Sequence, residues 1–270
     1  FIRMPVFPRE SSAFQKIMHR IKIVAGTDMS VMIFGENGTG KEHIAHHLHN
    51  KSKRAGKPFV AVDCGSLTKE LAPSACFGHM KGSFTGADCA RKGYFHEAEG
   101  GTLFLDEVGN LAMETQQMLL RAIQERRYRP VGDKSDRSFN VRIIAATNED
   151  LETAVGEKRF RQDLLYRISV VPLLLPPLRE RKQDILPLVD AFIRHSSQRY
   201  GKTIFPLSPE QKQALVDYSW PGNVRELKNI IERAVILCEQ GASLHFHFDQ
   251  ANMEPFFSRQ AGGGGILADP

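Results

Sequence analysis

Val31-Met-Ile-Phe-Gly-Glu-Asn-Gly-Thr-Gly-Lys41 sets four apolar residues directly before a glycine-rich loop that ends in a lysine. The run Val31–Phe34 reads as a buried strand, and a helical pattern, Lys41–Asn50, follows the loop. A GxxxxGK loop between strand and helix is a phosphate cradle. Its glycines let backbone N–H groups curl around phosphate oxygens with no Cβ in the way, and the helix N-terminus adds positive partial charge. The predicted nucleotide-binding residues are Gly35, Glu36, Asn37, Gly38, Thr39, Gly40, Lys41 and Glu42, with Lys41 reaching the β- and γ-phosphates of ATP. The position after the lysine calls for Ser or Thr to reach Mg2+; here it is Glu42. A glycine turn capping a helix is the alternative reading of the loop taken alone.

A second stretch supports the cradle. Gly101-Thr-Leu-Phe-Leu-Asp-Glu107 is an apolar strand ending in two carboxylates. In a parallel sheet that end lies at the carboxyl edge, beside the phosphate loop. Asp106 is expected to hold Mg2+ through its water shell and Glu107 to orient and deprotonate the attacking water.

Further strands are read at Phe59–Val62, Val141–Ala146 and Val170–Leu174, with helices at Met113–Arg126 and Asp150–Gly156 between them. Strand and helix alternate, which means an α/β domain with a mostly parallel sheet. After Pro176-Pro177 the strands stop and three helical patterns follow: Ile185–Tyr200, Pro209–Tyr218 and Val224–Cys238. Ser208, Pro209 and Gln211 have the spacing of a capping box. The expected division is residues 1–177 as the α/β unit, 178–250 as a small all-helical unit and 251–270, with four consecutive glycines at Gly262–Gly265, as tail or linker.

The net charge of +5, from 36 basic against 31 acidic residues, permits a polyanionic partner without demanding one. No apolar run reaches the roughly 20 residues needed to span a bilayer, and Phe1–Glu10 lacks the core of a signal peptide. A cytoplasmic chain without a membrane partner is expected. Cys64, Cys76, Cys89 and Cys238 form no CxxC pair and read as free thiols. His43 and His47 stand four residues apart, a possible metal pair with no further ligand evident, and the histidines of Lys41–Asn50 read as exposed helix surface.

The chain resembles the central AAA+ ATPase domain of sigma-54-dependent, NtrC-like transcription activators. The resemblance rests on Gly35–Glu42, Phe77-Gly-His, Gly82-Ser-Phe-Thr-Gly-Ala87, Gly100–Glu107, Ala146-Thr-Asn148, Arg159-Phe-Arg-Gln-Asp-Leu164, Pro176-Pro-Leu-Arg-Glu-Arg181 and Trp220-Pro-Gly-Asn-Val-Arg-Glu-Leu227, in the family's order. It implies a P-loop NTPase sandwich with a helical lid, ATP and Mg2+ as cofactors, and Glu42 as a family mark. It also implies that Gly82, Ser83, Phe84, Thr85, Gly86 and Ala87 contact sigma-54 and move with the nucleotide state. The family form of that loop is GAFTGA, so Ser83 is a departure.

By the same resemblance Asn148 matches sensor I, Arg161 and Arg167 match arginine fingers acting on a neighbouring subunit, and Arg225 matches sensor II. Asp63 stands where the family commonly carries an Asn that holds the catalytic glutamate at rest, which implies a Glu107 that is less restrained or protonated. The implied assembly is a hexameric or heptameric ring. Promoter DNA would be met through a DNA-binding domain that this chain lacks, and an excised central domain is expected. Another P-loop enzyme and a non-hydrolysing binding module are the competing classes; Gly82–Ala87 speaks against the first, and Asp106, Glu107, Asn148, Arg161 and Arg167 against the second.

Overall fold

A computed structural model describes residues 12–84, 87–246 and 248. Thr85, Gly86, His247 and the tail 251–270 lie outside the described residues. In chain order the α/β part runs α1 (Ser12–Ala25), β1 (Val31–Phe34), α2 (Lys41–Asn50), β2 (Phe59–Asp63), α3 (Ala72–Phe77), α4 (Tyr94–Glu97), β3 (Thr102–Asp106), α5 (Met113–Glu125), β4 (Arg127–Tyr128), β5 (Arg137–Ser138), β6 (Arg142–Thr147), α6 (Leu151–Gly156), α7 (Gln162–Ile168) and β7 (Val171–Leu174). Helices α8 (Ile185–Tyr200), α9 (Pro209–Asp217) and α10 (Asn223–Leu237) follow.

Five strands form one parallel sheet in the order β2-β3-β6-β1-β7. Parallel strands covered on both faces need apolar side chains on both, which is why these segments read as continuous apolar runs. The pleat then sorts them. Met32, Leu103, Leu105, Ile143 and Ala145 enter one core with α5 and α7, while Val31, Ile33, Phe104, Ile144 and Ala146 enter the other with α1 and α2. Because every strand points the same way, the P-loop, Asp63, Asp106–Glu107 and Asn148 all leave the sheet at one edge.

Two elements go beyond the sequence reading. Helix α1 buries Phe14, Ile17, Met18, Ile21 and Ala25 on one stripe. Its last carbonyls, Val24 and Ala25, and that of Met29 accept bonds from the guanidinium of Arg142, which is itself buried. The hairpin β4–β5 interrupts the path from α5 to β6. The α2 histidines are not exposed surface: His49 is buried and bonds Thr102 Oγ1 at 2.9 Å, and His46 stacks on Phe59. No group of three or more His, Cys, Asp or Glu side chains among the described residues is placed to hold a metal ion. Nor is any described helix long and apolar enough to cross a membrane. Cys64, Cys76 and Cys238 are buried free thiols and Cys89 is an exposed one.

The three later helices close around Trp220, which is fully buried and donates its indole N–H to Leu215 O at 2.8 Å. Ser208 and Gln211 form the capping box of α9. Trp220 and Asn223 both adopt left-handed backbone angles (φ 51° and 55°), a conformation that asparagine tolerates well and that is unusual for the bulky Trp220, whose ring is locked in the lid core. The turn between them delivers α10 to the P-loop. Trp220→Ala is expected to lower stability by about 3–5 kcal/mol, as for other buried aromatics; an unshifted urea midpoint would contradict this account of the lid core.

Candidate functional site

The P-loop is tied to the sheet by Gly35 N–H donating to Thr147 O at 3.2 Å and is closed on itself by Thr39 Oγ1 donating to Glu36 O at 2.7 Å. Gly38 and Gly40 lie in the left-handed region (φ 79° and 101°). Lys41, 6% exposed, folds back so that Nζ donates to Gly35 O at 2.9 Å and to Glu36 O at 3.4 Å. Burial pushes its pKa down, and the carboxylates of Asp106 and Glu107 oppose that shift. The lysine and the two carboxylates therefore act on one another electrostatically.

The other side of the loop is bolted to the lid. Glu36 takes Arg179 in a two-pronged ion pair, one contact at 2.8 Å, and accepts Asn223 Nδ2 at 3.1 Å. The Arg179 hydrogen bond, then Asn223, hold its carboxyl down at about 2. Asn223 Nδ2 also reaches Asn37 O at 3.1 Å while its Oδ1 accepts Leu178 N–H at 2.8 Å. Arg181, 4% exposed, donates to Thr39 O at 2.9 Å and lies over the ring of Phe14. Arg225 N–H donates to Gly38 O at 3.2 Å. Arg179, Arg181 and Asn223 lie within quoted motifs, yet sequence reasoning assigned them no task; charged residues directly after Pro176-Pro177 were the available signal.

At the acidic edge Glu107 is left-handed (φ 51°), and its N–H donates to Asp106 Oδ1 at 3.0 Å. Asp63 is the register partner of Asp106, and its Oδ1 accepts Gly65 N–H at 2.9 Å. The side chain that bonds Glu107 is Asn110, Nδ2 to Oε2 at 3.1 Å. Gly65 sits between the groups: a Cβ there would lie 2.9 Å from Glu107 Oε2 and 3.2 Å from Asp63 Oδ1. Asn110 was not singled out from sequence.

Between the sheet edge and the lid lies a cavity of about 230 Å³ lined by Asn37, Gly38, Gly40, Lys41, Glu42, Asp106, Glu107 and Arg225, among others. Most of the predicted nucleotide residues thus share one wall. The donors are hard oxygens; a Mg2+ held by Asp106, water and substrate phosphates fits them, since this ion usually takes only one or two carboxylates. Asn148 is exposed and lines a different cavity, of about 630 Å³, with Gly35 and Glu36. Arg167 is exposed, and Arg161 is paired with Asp163 (3.0 and 2.7 Å); neither borders the cavity of Lys41. Phe84 is 40% exposed with its ring edge-on to His79, and Ser83 packs on Gly132.

The sigma-54 interaction domain family matches residues 7–174, and the AAA+ ATPase lid domain matches residues 179–254. The chain belongs to the sigma-54 interaction domain family. It is an AAA+ P-loop ATPase domain of the kind found in sigma-54-dependent activators. It is 48% identical over 232 residues to the sigma54-dependent transcriptional activator SfnR of Pseudomonas putida, covering 86% of this chain and 63% of SfnR. It is likewise 48% identical to the transcriptional regulatory protein ZraR of Klebsiella oxytoca, covering 84% and 52%. NtrX from Brucella abortus, solved in complex with ADP, superposes with a TM-score of 0.81 at 35% identity, covering 87% of this chain and 51% of that one. The chain therefore spans about half to two thirds of the length of these relatives.

Gly38 of this AAA+ domain has two reasons to be glycine: its φ, and a would-be Cβ only 2.3 Å from Gly222 O. Gly38→Ala is expected to lower stability by about 1–2 kcal/mol from the backbone alone and to weaken ATP binding by displacing the lid; unchanged melting temperature and unchanged ATP affinity would contradict it. Glu36 has a depressed carboxyl pKa, so its stabilising contribution is complete above its ordinary value of 4.5 and disappears as pH falls to about 2. The melting-temperature gap between wild type and Glu36→Gln should accordingly be constant from neutral pH down to 4.5 and close below it; a gap that widens on acidification would reverse the sign.

Proposed function

We propose that the chain hydrolyses ATP and couples the nucleotide state to remodelling of the sigma-54 RNA polymerase holoenzyme, activating transcription initiation. The observation that carries this reading is the cavity itself. Lys41, Asp106 and Glu107 form its sheet side and Arg225 its lid side, so an occupant touches both units at once. ATP phosphates lie over Gly35–Lys41, and Lys41 exchanges the neutral carbonyls of Gly35 and Glu36 for anionic oxygens, a stronger class of bond. Mg2+, held through Asp106, neutralises charge on the phosphates when bound. Glu107 accepts the proton of the attacking water, and Asn110 orients it through the 3.1 Å bond to Oε2.

Units 1–177 and 178–250 then act as base and lid, with 251–270 as linker. Asn148 senses the γ-phosphate from outside the cavity. Arg161 and Arg167 serve a neighbouring copy in a hexameric or heptameric ring. Arg161 must leave Asp163 to do so, which makes assembly and finger release one event. Gly82–Ala87 meets sigma-54, with Phe84 as the exposed apolar contact. Promoter DNA is reached through a further domain of the full-length protein, in the cytoplasm.

Glu107→Gln is the direct test. It is expected to keep ATP affinity, to slow turnover by roughly 10²–10⁴-fold as for loss of a general base, and to form a stable ATP-dependent complex with sigma-54. Undiminished turnover would remove Glu107 from the chemistry, and absence of any sigma-54 complex would remove the partner.

A further inference from the structure

Four histidines crowd α2, and the structure separates their surroundings. His49 bonds Thr102 Oγ1 on β3, and His46 stacks on Phe59 of β2 with ring centroids 3.9 Å apart. Both face the sheet. His43 instead lines the cavity of Lys41, two residues further into the helix. Across the cleft α8 contributes a second imidazole, His195, to the same cavity.

This end of the cavity differs from the phosphate end. Phe192 and Val224, both buried, supply apolar surface, and Lys228 borders it from α10. Burial, then the neighbouring His46 and Lys228, depress the pKa of His43, which favours the neutral ring. A neutral imidazole offers a flat π face, one N–H donor and one nitrogen acceptor. An imidazole face on each side of the cleft, beside the apolar walls of Phe192 and Val224, matches a heteroaromatic ring better than a polyanion.

We propose that His43 and His195 are nucleotide-binding residues that grip the nucleobase or ribose from the P-loop side and the lid side, so that the base bridges α2 and α8. The proposal rests on the nucleotide reading of the cavity and assigns its non-phosphate end. Base contact on α8 adds a second tie between lid and ligand beside that of Arg225 on α10.

The test measures binding of ATP, ADP and inorganic tripolyphosphate to the full chain and to His43→Ala, His195→Ala and the double variant. ATP and ADP should weaken by about 3- to 10-fold in each single variant, with tripolyphosphate affinity and melting temperature unchanged. His43→Phe, which keeps the π face, should recover part of the ATP affinity. Variants that bind ATP like wild type, or that lose ATP and tripolyphosphate equally, would overturn the proposal while leaving the phosphate site intact. A wild-type chain that binds neither ligand would overturn the nucleotide reading as well.

Discussion

Gly38 carries no side chain, and Gly222 O occupies the place a Cβ would need, 2.3 Å away. This approach of two backbones is what the site depends on. It lets Arg225 N–H reach Gly38 O and Asn223 Nδ2 reach Asn37 O, so carbonyls of the phosphate loop are spent on the lid and not on water. The N–H groups of Gly35 and Thr39 are bonded to Thr147 O and Glu36 O, and the N–H groups at the start of α2 are those a bound anion meets. A movement of the lid must therefore disturb the loop, and a ligand on the loop must bear on the lid.

Three buried cations show how the fold tolerates charge. Arg142 is satisfied by the carbonyls of Val24, Ala25 and Met29, Arg181 bonds Thr39 O, and Lys41 bonds Gly35 O and Glu36 O. Burial lowers the pKa of all three, the cost of removing a cation from water. Two of these cations hold structure in place. For Lys41 the carbonyl partners can be outbid by a phosphate, because hydrogen bonds between charged groups are stronger than those to neutral carbonyls.

The approach to the Gly82–Ala87 loop, as far as Ser83, is seated by the hairpin. Met80 N–H donates to Val131 O, Val131 N–H donates to Gly78 O, and Ser83 lies on Gly132, where a Cβ would come within 2.6 Å of the serine Cβ. Among the described residues, the buried Ser83 Oγ has no hydrogen-bond partner. An alanine there would bury no such atom, so the serine makes this seat less favourable than the family's own residue would.

Much of the framework was legible in residues that act locally. Val31–Phe34 and Thr102–Asp106 are apolar runs long enough for a buried strand, and the spacing Gly35–Lys41 is a property of the loop itself. The stripe Phe14, Ile17, Met18, Ile21 has helical period, whereas strands of two residues in β4–β5 carry too little pattern to be seen. Asp63, in place of the family's Asn, implied a Glu107 that is less restrained or protonated; the side chain that bonds Glu107 is Asn110, on the turn after β3, while Asp63 Oδ1 is engaged by Gly65 N–H. The sequence by itself determined the phosphate loop, the acidic strand end and the succession of sheet and helices, since each depends on neighbours in the chain. Only the tertiary structure decided that Glu36 meets Arg179, 143 residues away, and Asn223, 187 residues away, and that His43 and His195 share a cavity. Those pairings follow from how the lid closes on the sheet edge, and no local periodicity encodes that closure.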